Sequence, residues 1–463
     1  DMYNTAVGYD AGQEITTGIR NTLIGGLAGD AFTDADLNVA IGYQALSSDT
    51  LGSRSVAIGN QALLTQNFTT ATDGYNTAVG TDAGLSVTTG IKNTFLGGLA
   101  GDATTTGFEN VAIGYDSLGT NILGSHSVAV GPSALRTQNY GTATNAYNTA
   151  VGSFAGYAVT TGVKNVLIGG LAGDALTDAD FNVAVGYEAL TVDTLGSRST
   201  AVGYRALRNQ NSTTATEVYN TAVGYFAGYA ITTGKEHTLI GGLAGDALTS
   251  GDRSVAIGTN ALSADTQGSR NVAVGYDSLK TQNFTTGTNA YNVGVGYSAG
   301  SAITTGQENV FIGALSGDST TDADGNVGVG HRTLDANTLG QFSTAIGGLA
   351  LASQNYTTAT NAYNVAVGYG AGSLISTGIQ NTLIGSAVGD ALTDADFNVA
   401  VGYAALDKDT KGSKSTAIGT NALFNQNFTT ATDTHNVAVG YNAGLSVTTG
   451  LRNTFAGGES GDA

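Results

Sequence analysis

The chain has 463 residues and a formal net charge of −19, yet only 11% of its residues are charged, against a usual share of about 25%. It contains 69 glycines, one proline, and neither cysteine nor tryptophan. This balance excludes a nucleic-acid partner, which needs clustered Lys and Arg, and a disulfide framework. No apolar run approaches the 18 or more residues of a membrane helix, so no membrane partner is expected in this segment.

The dominant signal is internal repetition. Asn4-Thr5-Ala6-Val7-Gly8 returns as Asn21-Thr22-Leu23-Ile24-Gly25, as Asn38-Val39-Ala40-Ile41-Gly42 and as Ser55-Val56-Ala57-Ile58-Gly59, and the cycle restarts at Asn76. The spacings are 17, 17, 17 and 21 residues, a 72-residue cycle. Six full cycles begin at Tyr3, Tyr75, Tyr147, Tyr219, Tyr291 and Tyr363, and a partial seventh at His435. The sequence therefore reads as one continuous repeat array over 1–463 rather than a set of globular domains. Both ends fall inside the array, at Asp1-Met2-Tyr3 and Gly461-Asp462-Ala463, so the expectation is a segment of a longer chain whose anchor and tip lie elsewhere.

Within each unit the alternation has period 2 and predicts a strand. Val39 and Ile41 share one side, Ala40 and Gly42 the other. The β-branched side is expected to fill a core, and the small side to admit another backbone closely. A corner such as Tyr43-Gln44-Ala45-Leu46 follows, then a return stretch in which Thr16, Thr33 and Thr50 fall in register. Stacked coils would place these threonines about 4.8 Å apart and would align Asn4, Asn21 and Asn38 as an amide ladder. The prediction is an all-β solenoid of about 26 coils of 17/17/17/21 residues, each built of two strands and two turns.

Ser55-Val56-Ala57-Ile58-Gly59-Asn60-Gln61-Ala62 and Asn38-Val39-Ala40-Ile41-Gly42-Tyr43-Gln44-Ala45 resemble the S/N-V-A-I-G head-domain repeat of trimeric autotransporter adhesins. Related repeats occur in phage and other viral tail fibres. The resemblance implies a left-handed β-roll in which three parallel chains associate, with the small-residue face as their contact surface. The 17- and 21-residue coils depart from the tighter coil of those adhesin heads.

Three features are candidate sites. The four extra residues of every fourth coil form a loop with an aromatic residue, Phe68, Tyr140, Phe284, Tyr356 or Phe428, with Ser212 in the third copy. These rings are ligand-contact candidates; the competing reading, and the favoured one, is that each folds back to fill the enlarged coil. Five of the loops carry an Asn-x-Ser/Thr glycosylation sequon at Asn67, Asn211, Asn283, Asn355 and Asn427. The acidic corner Asp30, Asp34, Asp36, repeated as Asp174, Asp178, Asp180, offers oxygen ligands of the kind Ca²⁺ takes. The second and fourth cycles lack the full set, which favours solvated acidic turns and no cofactor.

The four histidines, His126, His237, His331 and His435, occupy different places in the cycle and share no acidic partner at a repeated offset, so no enzyme is expected. These features predict a structural, extracellular fibre on a cell surface or virion, a homotrimer or longer filament with an adhesive role toward host-surface or matrix glycans or proteins. The alternative is a self-standing monomeric glycan- or ice-binding solenoid, for which the threonine row is the motive.

Overall fold

The computed structural model describes residues 2–462. They form two compact units, Asp1–Thr233 and Gly234–Ala463. Each is an all-β parallel solenoid, and there is no helix among the described residues. In the first unit the strands Thr5–Val7, Thr22–Ile24, Val39–Ile41 and Val56–Ile58 pair in parallel, each residue opposite the one 17 further on. Across the enlarged coil the offset becomes 21, with Val56 opposite Thr77. The second unit repeats the scheme, Val255 opposite Val272 and then Val272 opposite Val293.

The return path differs from the expected second strand. It is a strand only at the enlarged coil, where Gly52–Ser53 pairs in parallel with Thr72–Asp73. In the other coils it is a run of turns and bends. Side-chain oxygens take some of the backbone donors there, between backbone bonds such as that from the Leu37 N–H to the Ile19 carbonyl at 3.0 Å. The Ile19 N–H donates to Asp36 Oδ1 at 2.8 Å, and the Asp36 N–H to Ser53 Oγ at 3.0 Å. These bonds satisfy backbone donors without requiring a pleated strand.

Period 2 holds along the strand, but the polarity is the reverse of the expectation. Leu23, Ala40 and Ala57 are fully buried inside the coil, whereas Ile24 is 40% exposed and Val39 and Ile41 are half-buried on the outside. A narrow coil has room for one inward side chain per three-residue strand. The corner residues Ala45, Leu46, Ala62 and Leu63, all fully buried, fill the rest. Large and small residues trade places along the stack. Where the strand carries Leu23 the corner carries Gly12, and a Cβ on Gly12 would come within 2.6 Å of Leu23 Cδ1. The small-residue side is therefore spent on the interior and is not available as a contact between chains.

The glycine that ends each strand answers two demands at once. Gly25 has φ +134°, and a Cβ on it would lie 2.5 Å from the Gly42 carbonyl oxygen of the next coil.

The amide ladder forms, with each asparagine bonded to backbone on both sides. Asn21 Oδ1 accepts from the Asn38 N–H at 2.9 Å, and Asn21 Nδ2 donates across its own coil to the Ala35 carbonyl at 2.7 Å. Each side chain thus ties one coil to the next and closes its own coil, in a dry environment where such bonds are strongest. The threonine row also forms. Thr16 Oγ1 donates to the Thr33 carbonyl and Thr33 Oγ1 to the Thr50 carbonyl, both at 3.1 Å. In the enlarged coil Asn67 takes the position, accepting from Thr50 Oγ1 at 3.1 Å.

Candidate functional site: the outward strand face

Because Asn38, Ala40 and Gly42 turn inward, every second residue from the one before the asparagine to the one after the glycine turns outward. Each coil therefore presents four outward positions, as in Leu37, Val39, Ile41 and Tyr43. Stacking the coils turns these positions into four parallel columns.

The two middle columns are β-branched or aliphatic almost throughout. Ile24, Val151 and Ile168 in the first unit, and Ile240, Ile312, Ile346, Ile384 and Ile418 in the second, are each more than a third exposed. Within each unit this row is a continuous apolar stripe, which soluble monomers rarely leave uncovered.

One border column is rich in tyrosine: Tyr9, Tyr43, Tyr115, Tyr187, Tyr204 and Tyr225 in the first unit. Where tyrosines fall in adjacent coils they stack, Tyr187 on Tyr204 at 5.8 Å and Tyr204 on Tyr225 at 5.5 Å. Tyr276 and Tyr297 do the same in the second unit, at 5.7 Å.

The other border column begins with Tyr3, Arg20, Leu37, Arg54 and Tyr75, all at positive φ. It holds nine of the chain's 17 Lys and Arg residues, so the scarce positive charge of an acidic protein is gathered beside the apolar stripe. Cations and rings alternate along it. Arg54 lies over Tyr75 at 5.8 Å, Arg270 over Tyr291 at 5.6 Å, and His126 stacks on Tyr147 at 4.9 Å. Several of these cations are also paired, as Arg54 with Asp73 at 3.0 Å and Arg253 with Glu236 at 2.8 Å. Such exposed pairs fix geometry more than they stabilise.

The sequence-predicted sites fall elsewhere. Phe68, Tyr140, Phe284, Tyr356 and Phe428 are 4 to 7% exposed, inside the enlarged coil. Four added residues widen the coil, and the ring fills the space; Tyr140 also donates its hydroxyl to the Gly162 carbonyl at 2.8 Å. A ring so placed has no face free for a ligand, which removes its candidacy as a ligand contact and bears out the favoured reading that it fills the enlarged coil. The exposed tip is instead Thr69, Thr70 and Ala71.

Around each ring lies a buried polar network that the sequence reading missed. Gln66 donates to Asp49 Oδ2 at 2.6 Å and accepts from Asn76 at 2.8 Å, and the backbone N–H groups of Gly52 and Phe68 also donate to Asp49. Burial raises the Asp49 pKa against these hydrogen bonds. The signal was available: Gln recurs at 66, 138, 210, 282, 354 and 426 without exception.

The sequon residues Asn67, Asn211 and Asn283 are half-buried, and Asn355 and Asn427 are exposed. Each has its Oδ1 engaged by the threonine of the preceding coil: Thr50, Thr194, Thr266, Thr338 and Thr410.

In the acidic corner, Asp34 accepts from the Thr17 hydroxyl and Asp178 from Thr161, while Asp36 and Asp180 accept from backbone N–H groups of the preceding coil. Asp30 and Asp174 turn one oxygen inward, where it meets no hydrogen-bond partner. Burial raises both, Asp174 to about 6. Among the described residues no group of three or more His, Cys, Asp or Glu converges as a metal site.

His237 stands in the asparagine ladder. Its Nε2 meets the Gly251 carbonyl at 2.6 Å and its Nδ1 accepts from the Ser254 N–H at 3.2 Å, the same two roles an asparagine amide plays. Burial lowers its pKa, in keeping with a neutral ring.

Against this geometry, the sequence model of the family described as "YadA head domain repeat (2 copies)" matches residues 39–62, 245–261 and 339–360. These three stretches are similar to the YadA head repeat. The first matched stretch spans two of the short strands, Val39–Ile41 and Val56–Ile58, with the corners that follow them. The YadA-type match agrees with the resemblance drawn from the S/N-V-A-I-G motif and points to an adhesin-like fibre. No curated protein matches the chain.

Proposed function

We propose that this chain is a stretch of an extracellular, adhesin-like fibre in which three parallel chains pack through the outward Val/Ile stripe. The observation that carries this reading is the stripe itself, apolar in nearly every coil and bordered by stacked tyrosines on one side and cations on the other. Apolar surface of that extent is stabilised by burial, at about 25 cal/mol per Å² removed from water. The YadA-type repeat supports association in threes and a place on the cell surface. The seam is the β-branched side of the strand, not the Ala/Gly side.

The role is scaffolding and adhesion, with no catalytic step. The rival ice-binding reading draws little support, because the threonine hydroxyls that motivated it already donate to the next coil.

Light scattering tests the reading. A mass near three times 46.3 kDa is expected for the native chain. The triple variant Val39→Lys, Val56→Lys, Ile58→Lys should lower that mass while leaving the far-ultraviolet circular dichroism unchanged, since these side chains point outward. A monomeric native chain would sink the trimer and leave a self-standing binding solenoid. A triple variant that stays trimeric would move the seam elsewhere.

A further inference from the structure

We infer that a cleft beside the third enlarged coil is a binding site for one residue of a neutral, hydroxyl-rich sugar. This deepens the adhesive reading above and rests on it for the biological role, but the chemistry of the cleft does not depend on how many chains associate.

The cleft has a volume of about 280 Å³ and is lined by Asp178, Asp180, Phe181, Arg198, Thr216 and Glu217. That is near the lower end of small-ligand sites, about 300–1,000 Å³, and suits a single ring.

Its polar groups are held before any ligand arrives. Asp178 Oδ1 accepts from the Thr161 hydroxyl at 2.5 Å, and Asp180 Oδ1 from the Val163 N–H at 2.8 Å. Both carboxylates are thus anchored to the preceding coil through one oxygen, and the second oxygen of each remains for an outside donor. Arg198 is fixed by its Nε bond to Glu217 at 2.9 Å and by stacking on Phe181 at 5.0 Å and Tyr219 at 5.8 Å. Its terminal nitrogens are left as donors. Phe181, 41% exposed, supplies an apolar edge.

Fixed acceptors, a fixed donor and an apolar edge match the alternating hydroxyl and C–H surface of a pyranose, and groups held in advance bind without an ordering cost. Charge narrows the class. Three carboxylates and one guanidinium line the cleft, so the lining is net negative. An acidic sugar would be repelled. Two cycles earlier Asp34, Asp36, Arg54 and Asp73 hold the corresponding places, with Leu37 in the place of Phe181.

The chain has no tryptophan, so Phe181→Trp places a sole indole at the cleft. Its emission would be followed during titration with methyl β-D-galactopyranoside, with methyl α-D-mannopyranoside and, separately, with N-acetylneuraminic acid. A saturable change is expected with a neutral glycoside and none with the acid. Adding Asp178→Asn and Asp180→Asn should raise the midpoint about ten-fold, as loss of charge-assisted hydrogen bonds would. Three results would overturn the site: no response to either neutral glycoside, a midpoint unmoved by the double substitution, or equal binding of the acidic sugar. Light scattering on the same samples keeps the two proposals apart. A trimer without sugar response removes the cleft alone; a responsive monomer removes the trimer alone.

Discussion

The enlarged coils of the first and second cycles solve one packing problem with different chemistry. In the first, Asp49 is buried and takes hydrogen bonds from Gly52, Gln66 and Phe68, with a phenyl ring filling the widened interior. In the second, Asn121 holds the same place; its Oδ1 accepts from the Gly124 N–H at 3.1 Å and its Nδ2 donates to the Gly124 carbonyl at 3.0 Å. There the ring is Tyr140, whose hydroxyl bonds to Gly162 and to Asn148. The pairing holds wherever the coil carries a ring: Asp265 and Asp409 go with Phe284 and Phe428, and Asn337 goes with Tyr356, while Asp193 stands with Ser212. The carboxylate uses its oxygens to collect donors, whereas the amide closes on its own turn and leaves the ring to supply a further hydrogen bond. The interior of the wide coil is specified as a unit, not residue by residue.

The sharpest way to break this comparison is to remove the shared glutamine. Gln66→Leu strips a donor from a buried carboxylate and should cost about 3 kcal/mol. Gln138→Leu strips one from a neutral amide and should cost about 1 kcal/mol. Hydrogen exchange of the local coil amides would read the difference, and equal losses would refute the charged-against-neutral distinction.

Acidity gives the next largest effect. Asp102, Asp174 and Asp246 are raised to about 6 by burial, foremost, so the folded chain holds their protons more tightly than the unfolded chain. Their contribution to stability is present at low pH and is lost as pH rises through about 6. Burial also raises Asp318 and Asp390, with Asp335 and Asp407 beside them acting in the same direction. Tm should therefore be higher at pH 5 than at pH 7.5, and Asp→Asn at 102, 174 and 246 should flatten part of that slope, leaving the share of Asp318 and Asp390. A slope unchanged in the triple variant would assign it to other groups, Asp49 included.

Smaller effects sharpen the ring pairing. Tyr140→Phe should cost about 1 kcal/mol by losing the bond to Gly162. Phe68→Tyr should be close to neutral in denaturant unfolding, because Asn76 and the Gly90 carbonyl already stand where Asn148 and Gly162 receive the tyrosine hydroxyl. A loss of more than about 2 kcal/mol for Phe68→Tyr would mean that the first-cycle coil has no room for the oxygen.

Much of the fold is written in the spacing. The 17/17/17/21 register, the asparagine and threonine rows and the terminal glycine of each strand all follow from positions that never slip. Polarity was not legible from alternation, because period 2 divides a strand into two sides without saying which is wet. The deciding clue lay one residue outside the strand. Asn38 shares its side with Ala40 and Gly42, and an amide that ties backbone across the coil must point inward. The outward stripe is therefore the very set of residues that hydrophobicity alone assigns to a core. The aromatic residues of the enlarged coil follow the favoured reading, each ring folding back to fill the added width, and not the ligand-contact alternative.

The close approach of successive terminal glycines has a consequence for how such a chain can change length. A single inserted or deleted residue upstream of Gly25 would carry a side chain to within 2.5 Å of the Gly42 carbonyl, and would turn the asparagine amide outward in the same step. The enlarged coil absorbs its four extra residues with a ring and a buried polar network that fill the width, and a single added residue brings neither. Length is thus quantised: a chain of this kind tolerates the gain or loss of whole coils, and the 72-residue cycle is the smallest segment that can be exchanged without altering the order of narrow and wide turns.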